Sequence, residues 1–189
     1  MSTTWIIVII VAVVILLMTI TLYNRLVRYR NNRENAFADI DVQLKQRHDL
    51  IPQLVEAVKG YMNHESETLV KLTQARTAAM GAQTIDQKID AENQLSSALN
   101  GLKVQVEAYP NLKASENFMQ LQEEMADIEN KLAAVRRYFN SATKEYNNAA
   151  ETFPANVVAG MFGFKREKMF DLGEQQRAAL DEAPKISFK

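Results

Sequence analysis

The sequence predicts an all-α protein: a single N-terminal transmembrane helix followed by an antiparallel bundle of about three main long helices, coiled-coil-like in pattern. Three observations predict it. The run from Trp5 to Leu22 is apolar except for Thr19 and Thr21, and the first ionised side chain is Arg25. Beyond it, apolar residues recur at spacings of three and four along most of the chain, the period of a one-sided helix. Only 6 Gly and 4 Pro interrupt 189 residues, so long regular elements are permitted. The expected organisation is an anchor over 1–23, one helical domain over 24–170, and a polar tail over 171–189 read as largely disordered.

The anchor comes first. Its 18 residues rise about 27 Å as a helix, against a hydrocarbon core of roughly 30 Å. Ile and Val are modest helix formers in water, but in lipid the backbone must pair with itself, so helix prevails. Trp5 and Tyr23 bracket the run, where aromatic rings favour the two interfaces. No Lys or Arg precedes the run and no A-x-A follows it, which argues for retention rather than cleavage as a signal peptide. Arg25, Arg28, Arg30 and Arg33 follow before the first acid, Glu34. By the positive-inside tendency this flank stays in the cytoplasm and the N-terminus lies outside. The same arginines are expected to meet anionic headgroups.

Helical patterning begins near Ala36. Phe37, Ile40, Leu44, Ile51, Leu54 and Val58 follow heptad steps, with Arg47 filling a core step, and the rhythm passes through Met62, Glu65, Leu69, Leu72, Arg76 and Ala79. One long helix from near Tyr23 to Met80 is expected, with a kink or boundary at Pro52, whose ring opposes the His48 carbonyl, and a weak point at Gly60. Gly81 suits a C-terminal stop. Thr84 with Gln87 reads as a capping box opening a second helix that carries Ile85, Ile89, Leu95, Leu99, Leu102 and Val106 and ends at Tyr109-Pro110-Asn111. A third starts near Ser115. Its seam, Phe118, Leu121, Met125, Ile128, Leu132, Val135, Phe139, Ala142, Tyr146, Ala149 and Phe153, is the cleanest in the chain. After Phe153-Pro154 the short apolar run through Val157, Val158, Met161, Phe162 and Phe164 either packs on the bundle, the preferred reading, or lies on a membrane surface. The second helix is shorter than its neighbours, which leaves apolar stripe unpaired and predicts a homo-oligomer.

Composition narrows function. With 22 basic and 23 acidic residues there is no basic excess of the kind that binds nucleic acid. The absence of Cys removes disulfides, thiolate metal sites and cysteine nucleophiles. His48, Asp49 and Glu56 lie near Pro52, but neither His48 nor His64 has a Glu three residues earlier, as di-metal helical bundles require. Arg47, His48, Asp49 and Pro52 are read instead as a buried polar cluster that sets register around the kink. His64 and Glu65 are adjacent on a helix and point apart. The serines lack a nucleophile elbow and no phosphate loop is present. No catalytic residue, metal or cofactor is assigned.

The residues also carry a family resemblance. YNRLV at 23–27, AFADIDVQLKQRHDLIPQLVEAVKGYMNHE at 36–65, TQAR at 73–76, YPNLKASENFMQLQEEMADIENKLAAVRRYFN at 109–140, YN at 146–147 and FPANVVAGMFGF at 153–164 resemble the signature blocks of the LemA family, over roughly residues 23–170. The resemblance implies a bacterial, single-span membrane protein with a helical cytoplasmic-type domain. One branch, the magnetosome protein MamQ, is linked to forming an intracellular membrane compartment. The expected function is a membrane-anchored oligomeric scaffold in contact with lipid that organises or shapes the inner membrane. The alternative is a tethered adaptor that recruits a membrane protein partner such as a protease or envelope machine.

Overall fold

The computed structural model describes residues 3–61 and 67–170. It is all-helical, with no strand among the described residues. Six helices follow in order: α1 Thr3–Lys59, α2 Glu67–Gly81, α3 Ile85–Val106, the single turn α4 Pro110–Lys113, α5 Glu116–Glu151 and α6 Ala155–Phe162. Met62, His64, Glu65 and Ser66, and the tail from 171 to 189, lie outside the described residues.

The helix expected from Tyr23 to Met80 is two helices. α1 runs from the apolar run straight through Pro52 and stops at Lys59, where Gly60 and Tyr61 turn away. Pro52 fails to end α1 for two reasons. It sits on the exposed face, and the His48 carbonyl that it leaves without an in-helix donor accepts a hydrogen bond from Nε of Arg76 on α2 at 2.8 Å. The lost ladder bond is thus replaced. Gly60, a poor helix former by about 1 kcal/mol relative to Ala, is the first residue past the end of α1.

Capping follows local chemistry. The Thr84 hydroxyl accepts from the Gln87 amide, and the Gln87 side chain accepts from Thr84, a complete capping box at the start of α3. α6 ends on Gly163 at φ 75°, a left-handed residue that glycine adopts without steric cost.

The described residues form two compact units. The first joins the chain up to Ile40 with Ala134–Met169; the second joins Asp41–Ala133 with Phe170. In the first, Phe37 on α1 meets Phe139 on α5 edge-to-face, 5.4 Å between centroids, and Leu26 is buried with Ala150, Val158 and Ala159. In the second, Ile51, Leu54 and Val58 of α1 share a core with Leu69, Leu72 and Ala79 of α2, Leu95, Leu102 and Val106 of α3, Leu112 of α4 and Phe118 of α5. Along α1 the buried positions repeat every seven residues: Leu26, Arg33, Ile40, Arg47 and Leu54 on one row, Phe37, Leu44, Ile51 and Val58 on the other. The α5 seam is buried at Phe118, Ile128, Leu132, Phe139, Ala142 and Tyr146, and half-buried at Leu121, Met125, Val135 and Ala149. Phe153, placed on that seam by its spacing, is exposed, because α5 ends at Glu151 and the chain turns before it.

Candidate functional site

Two places gather the residues that composition singled out: the apolar N-terminal end of the first unit and a buried ionic cluster in the second.

α1 is long and apolar enough at its N-terminal end to cross a membrane, and that stretch is not buried by the protein. Every side chain from Trp5 to Met18 is exposed, while Leu22 and Tyr23 are half-buried where packing begins. Arg25, Arg28 and Arg30 are exposed. Arg25 lies over the Tyr29 ring, 5.5 Å from its centroid, and Arg30 over the Phe164 ring at 5.2 Å. A cleft of about 280 Å³ opens beside the end of the apolar run, lined by Leu22, Leu26, Tyr29, Ala149 and Phe153, with Arg25 and Glu145 supplying charge.

Arg33 departs from the expectation that it faces headgroups. It is 3% exposed. Its guanidinium pairs with Glu167 at 3.2 Å, donates to the Lys168 carbonyl at 3.2 Å and stacks over Phe139 at 5.0 Å. The segment after Gly163 folds back over α1 and α5 and takes the arginine from the surface. Two further side chains hold that strap. Tyr146 donates to the Lys165 carbonyl at 2.9 Å. Asn147 bonds Glu167 in both directions, Nδ2 to the carbonyl at 2.9 Å and Oδ1 from the amide at 2.8 Å. Burial, reinforced by the Glu167 charge and opposed by Arg30 and Arg33, raises the pKa of the Tyr146 phenol. In the sequence Tyr146 stands on the seam and, with Asn147, in a block of the family resemblance, while neither Asn147 nor Glu167 carries a periodic signal.

In the second unit Arg47 is 0% exposed. It pairs with Glu92 of α3, donates to Ser96 at 3.1 Å and reaches Glu129 of α5 at 2.8 Å. His48 Nε2 lies 2.6 Å from the other Glu92 oxygen. Burial alone would raise the Glu92 carboxyl, but the His48 hydrogen bond and the charges of Arg47 and His48 outweigh it, and its pKa is lowered. Asp49, expected in the cluster, is exposed. Neighbouring helical residues point about 100° apart, so the residue next to buried Arg47 and part-buried His48 faces water. Pro52 is exposed too and enters only through the carbonyl it frees. Glu92 supplies the missing carboxylate. Its signal was available: it stands at a core step of α3 between Ile89 and Leu95, as Arg47 does in α1, and two charges that interrupt apolar seams can answer each other.

Among the described residues no group of three His, Cys, Asp or Glu side chains converges as a metal site would require. The ionic cluster ties α1, α3 and α5 together. Desolvation of the charges offsets much of their attraction, so the net stability such a cluster adds is small, whereas removal of one partner is costly.

Comparison with known proteins gives the family. The LemA family model matches residues 36–188. The protein LemA of Metamycoplasma hominis is 30% identical over 160 residues, covering 84% of this chain and 73% of that protein. The magnetosome protein MamQ of Magnetospirillum gryphiswaldense is 29% identical over 82 residues, 43% of this chain and 30% of its own length. A MamQ of Paramagnetospirillum magneticum is 28% identical over a stretch of the same extent. The match covers most of the helical chain, and the chain belongs to the LemA family.

Proposed function

We propose that this chain is a single-pass scaffold of the bacterial inner membrane, N-terminus outside and helical domain in the cytoplasm, that self-associates to organise or shape the bilayer. The observation that carries the reading is the continuity of α1. The exposed apolar run passes without a break into the buried rows that begin at Leu26. A flexible tether would suit simple recruitment, whereas an unbroken helix transmits the orientation of the domain to the lipid. The exposed Arg25, Arg28 and Arg30 support a cytoplasmic domain. In the first unit, Leu26 neighbours Ala150 and Phe37 neighbours Phe139, so numbering falls on α5 as it rises on α1; this supports an antiparallel bundle. Exposed Val42, Met80, Val104 and Tyr138 supply apolar surface for contact between copies, and the likeness to proteins named as magnetosome proteins supports a role at membranes.

The test is the mass of the full chain in detergent, from about nanomolar to micromolar concentration, a range that spans tight to moderate association free energies. A defined oligomer is expected; a strict monomer throughout overturns self-association. Crosslinking in cells that yields one stoichiometric foreign protein and no self-crosslink would favour the adaptor reading. Reporter fusions at the C-terminus are expected to read cytoplasmic.

A further inference from the structure

Resting on the reading of Trp5–Leu22 as a bilayer span, we propose that α6 and the turn at Phe153 form a second membrane contact, seated in the headgroup layer at the base of the anchor. α6 is divided by face. Val158 and Ala159 are buried with Leu26 and Ala150, which holds the helix on its unit. Phe153, Val157 and Met161, four residues apart, are 78%, 55% and 73% exposed, and Phe162 is 53% exposed. No charged residue occurs from Phe153 to Phe164. A helix on a wetted surface turns its polar side outward; here Asn156 is the one polar side chain on an outward side otherwise made of Val157, Gly160, Met161 and Phe162, and clustered exposed apolar surface marks a contact.

Position selects lipid as the occupant. Tyr23 directly follows the span, and its ring lies 4.9 Å from Phe162 and 5.7 Å from Phe164. Leu22, the last residue of the span, packs on the same cluster. At 1.5 Å of rise per residue, α6 therefore meets α1 within about one turn, roughly 5 Å, of the hydrocarbon edge. The headgroup layer itself extends roughly 5–7 Å beyond that edge, half the difference between the full bilayer and its core. The charges around α6 agree. Arg25, Arg28, Lys165 and Lys168 are exposed, Glu151 is paired with Arg166 at 2.6 Å, and exposed Glu145, in the cleft with Arg25, leaves the balance basic. An apolar face flanked by basic residues is the composition of helices that lie in an interface. Eight residues would hold lipid poorly alone, but the anchor keeps α6 at the surface, so its effective concentration there is high. With one span only, the first unit is free to rotate about the anchor axis; the second contact stops that rotation.

The experiment uses the full chain in vesicles of phosphatidylcholine and phosphatidylglycerol, with and without lipid brominated near the headgroup end of its acyl chains. Trp5 is the single tryptophan, so Trp5→Phe clears the background for Met161→Trp, Val157→Trp or, as control, the exposed Val104→Trp on α3. The emission of M161W and V157W is expected to be blue-shifted and reduced about two-fold by brominated lipid, as for a ring buried about 5–10 Å into the boundary, while V104W is unaffected. Red, unquenched emission from M161W and V157W overturns the proposal. Blue-shifted but unquenched emission also overturns it, since protein, such as a second copy, then covers the face. Trp5 in the natural chain separates the two readings. If bromolipid quenches Trp5 but not M161W, only this inference falls; if Trp5 is not quenched, the span falls and the second contact with it.

Discussion

Arg33 in the first unit and Arg47 in the second lie two heptads apart on α1, on the same buried row, and both are withdrawn from solvent. Their surroundings differ. Arg47 meets a fully buried carboxylate on another helix, with His48 sharing that carboxylate and Glu129 closing the cluster. Arg33 meets a backbone carbonyl, an aromatic face and the partly exposed Glu167 on a strap of irregular chain. The first arrangement makes each charge dependent on the other, because neither Arg47 nor Glu92 has water to fall back on. The second leaves a carboxylate that solvent can reach if the arginine is lost. The same side chain at the same register position is thus a rigid join between helices in one unit and a clasp on a strap in the other.

The largest effect should come from breaking the rigid join. Arg47→Leu strands Glu92 and is expected to cost about 3–5 kcal/mol, while Arg47→Leu with Glu92→Leu recovers much of it. Thermal or denaturant unfolding of the full chain in detergent, followed by circular dichroism, reads both. A single variant as stable as the natural chain would mean that the cluster is hydrated and the contrast with Arg33 is empty. Arg33→Leu should cost less, about 1–3 kcal/mol, because Glu167 can rehydrate. Its signature is local: proteolysis after Lys165 or Arg166 should accelerate while the second unit stays resistant.

Acid sharpens the contrast. The folded pKa of Glu92 lies below its ordinary value, so its contribution to stability is complete above the pKa of the unfolded chain, ordinarily about 4.3. The contribution is lost as pH falls through the lower folded value. Unfolding midpoints of the natural chain should drop over that window. In Glu92→Gln, already weaker at neutral pH, this component of the drop should be missing; an unchanged acid slope would move the titration elsewhere.

A smaller effect tests the support of the join. Arg76→Met removes the donor to the His48 carbonyl and should cost about 1 kcal/mol. In a Pro52→Ala background the new backbone amide can take that carbonyl, so the same substitution should cost measurably less. Additive effects in this double-mutant cycle would show that Arg76 does not compensate Pro52. The smallest effect is expected at Asp49. Asp49→Ala should change stability by no more than about 0.5 kcal/mol, although its neighbours in sequence are the core of the cluster. A loss comparable to Arg47→Leu would put Asp49 back among them.

What the residues determine alone is whatever depends on composition or on a period along one helix. The uncharged run marks the candidate span, since sixteen apolar side chains and two threonines in eighteen residues have no polar face to offer water. The three-and-four spacing of α1 and α5 identifies the main core rows, Arg47 included, because helical geometry repeats whatever the partner; it leaves out Leu26, Arg33, Leu50, Thr143, Asn147 and Ala150, which are buried as well. Thr84 with Gln87 and the Pro110 turn mark ends through bonds made within a few residues. Tertiary structure decided everything that depends on a second element. Asp49 was the nearer acid in sequence, but the carboxylate that meets Arg47 is Glu92, on another helix, because packing register and not sequence distance brings charges together. Pro52 continues the helix because Arg76 arrives from α2. Arg33 leaves the surface because a strap more than a hundred residues later covers it. The outward face of α6 exists only because Val158 and Ala159, and not their neighbours, are the side chains that meet Leu26 and Ala150.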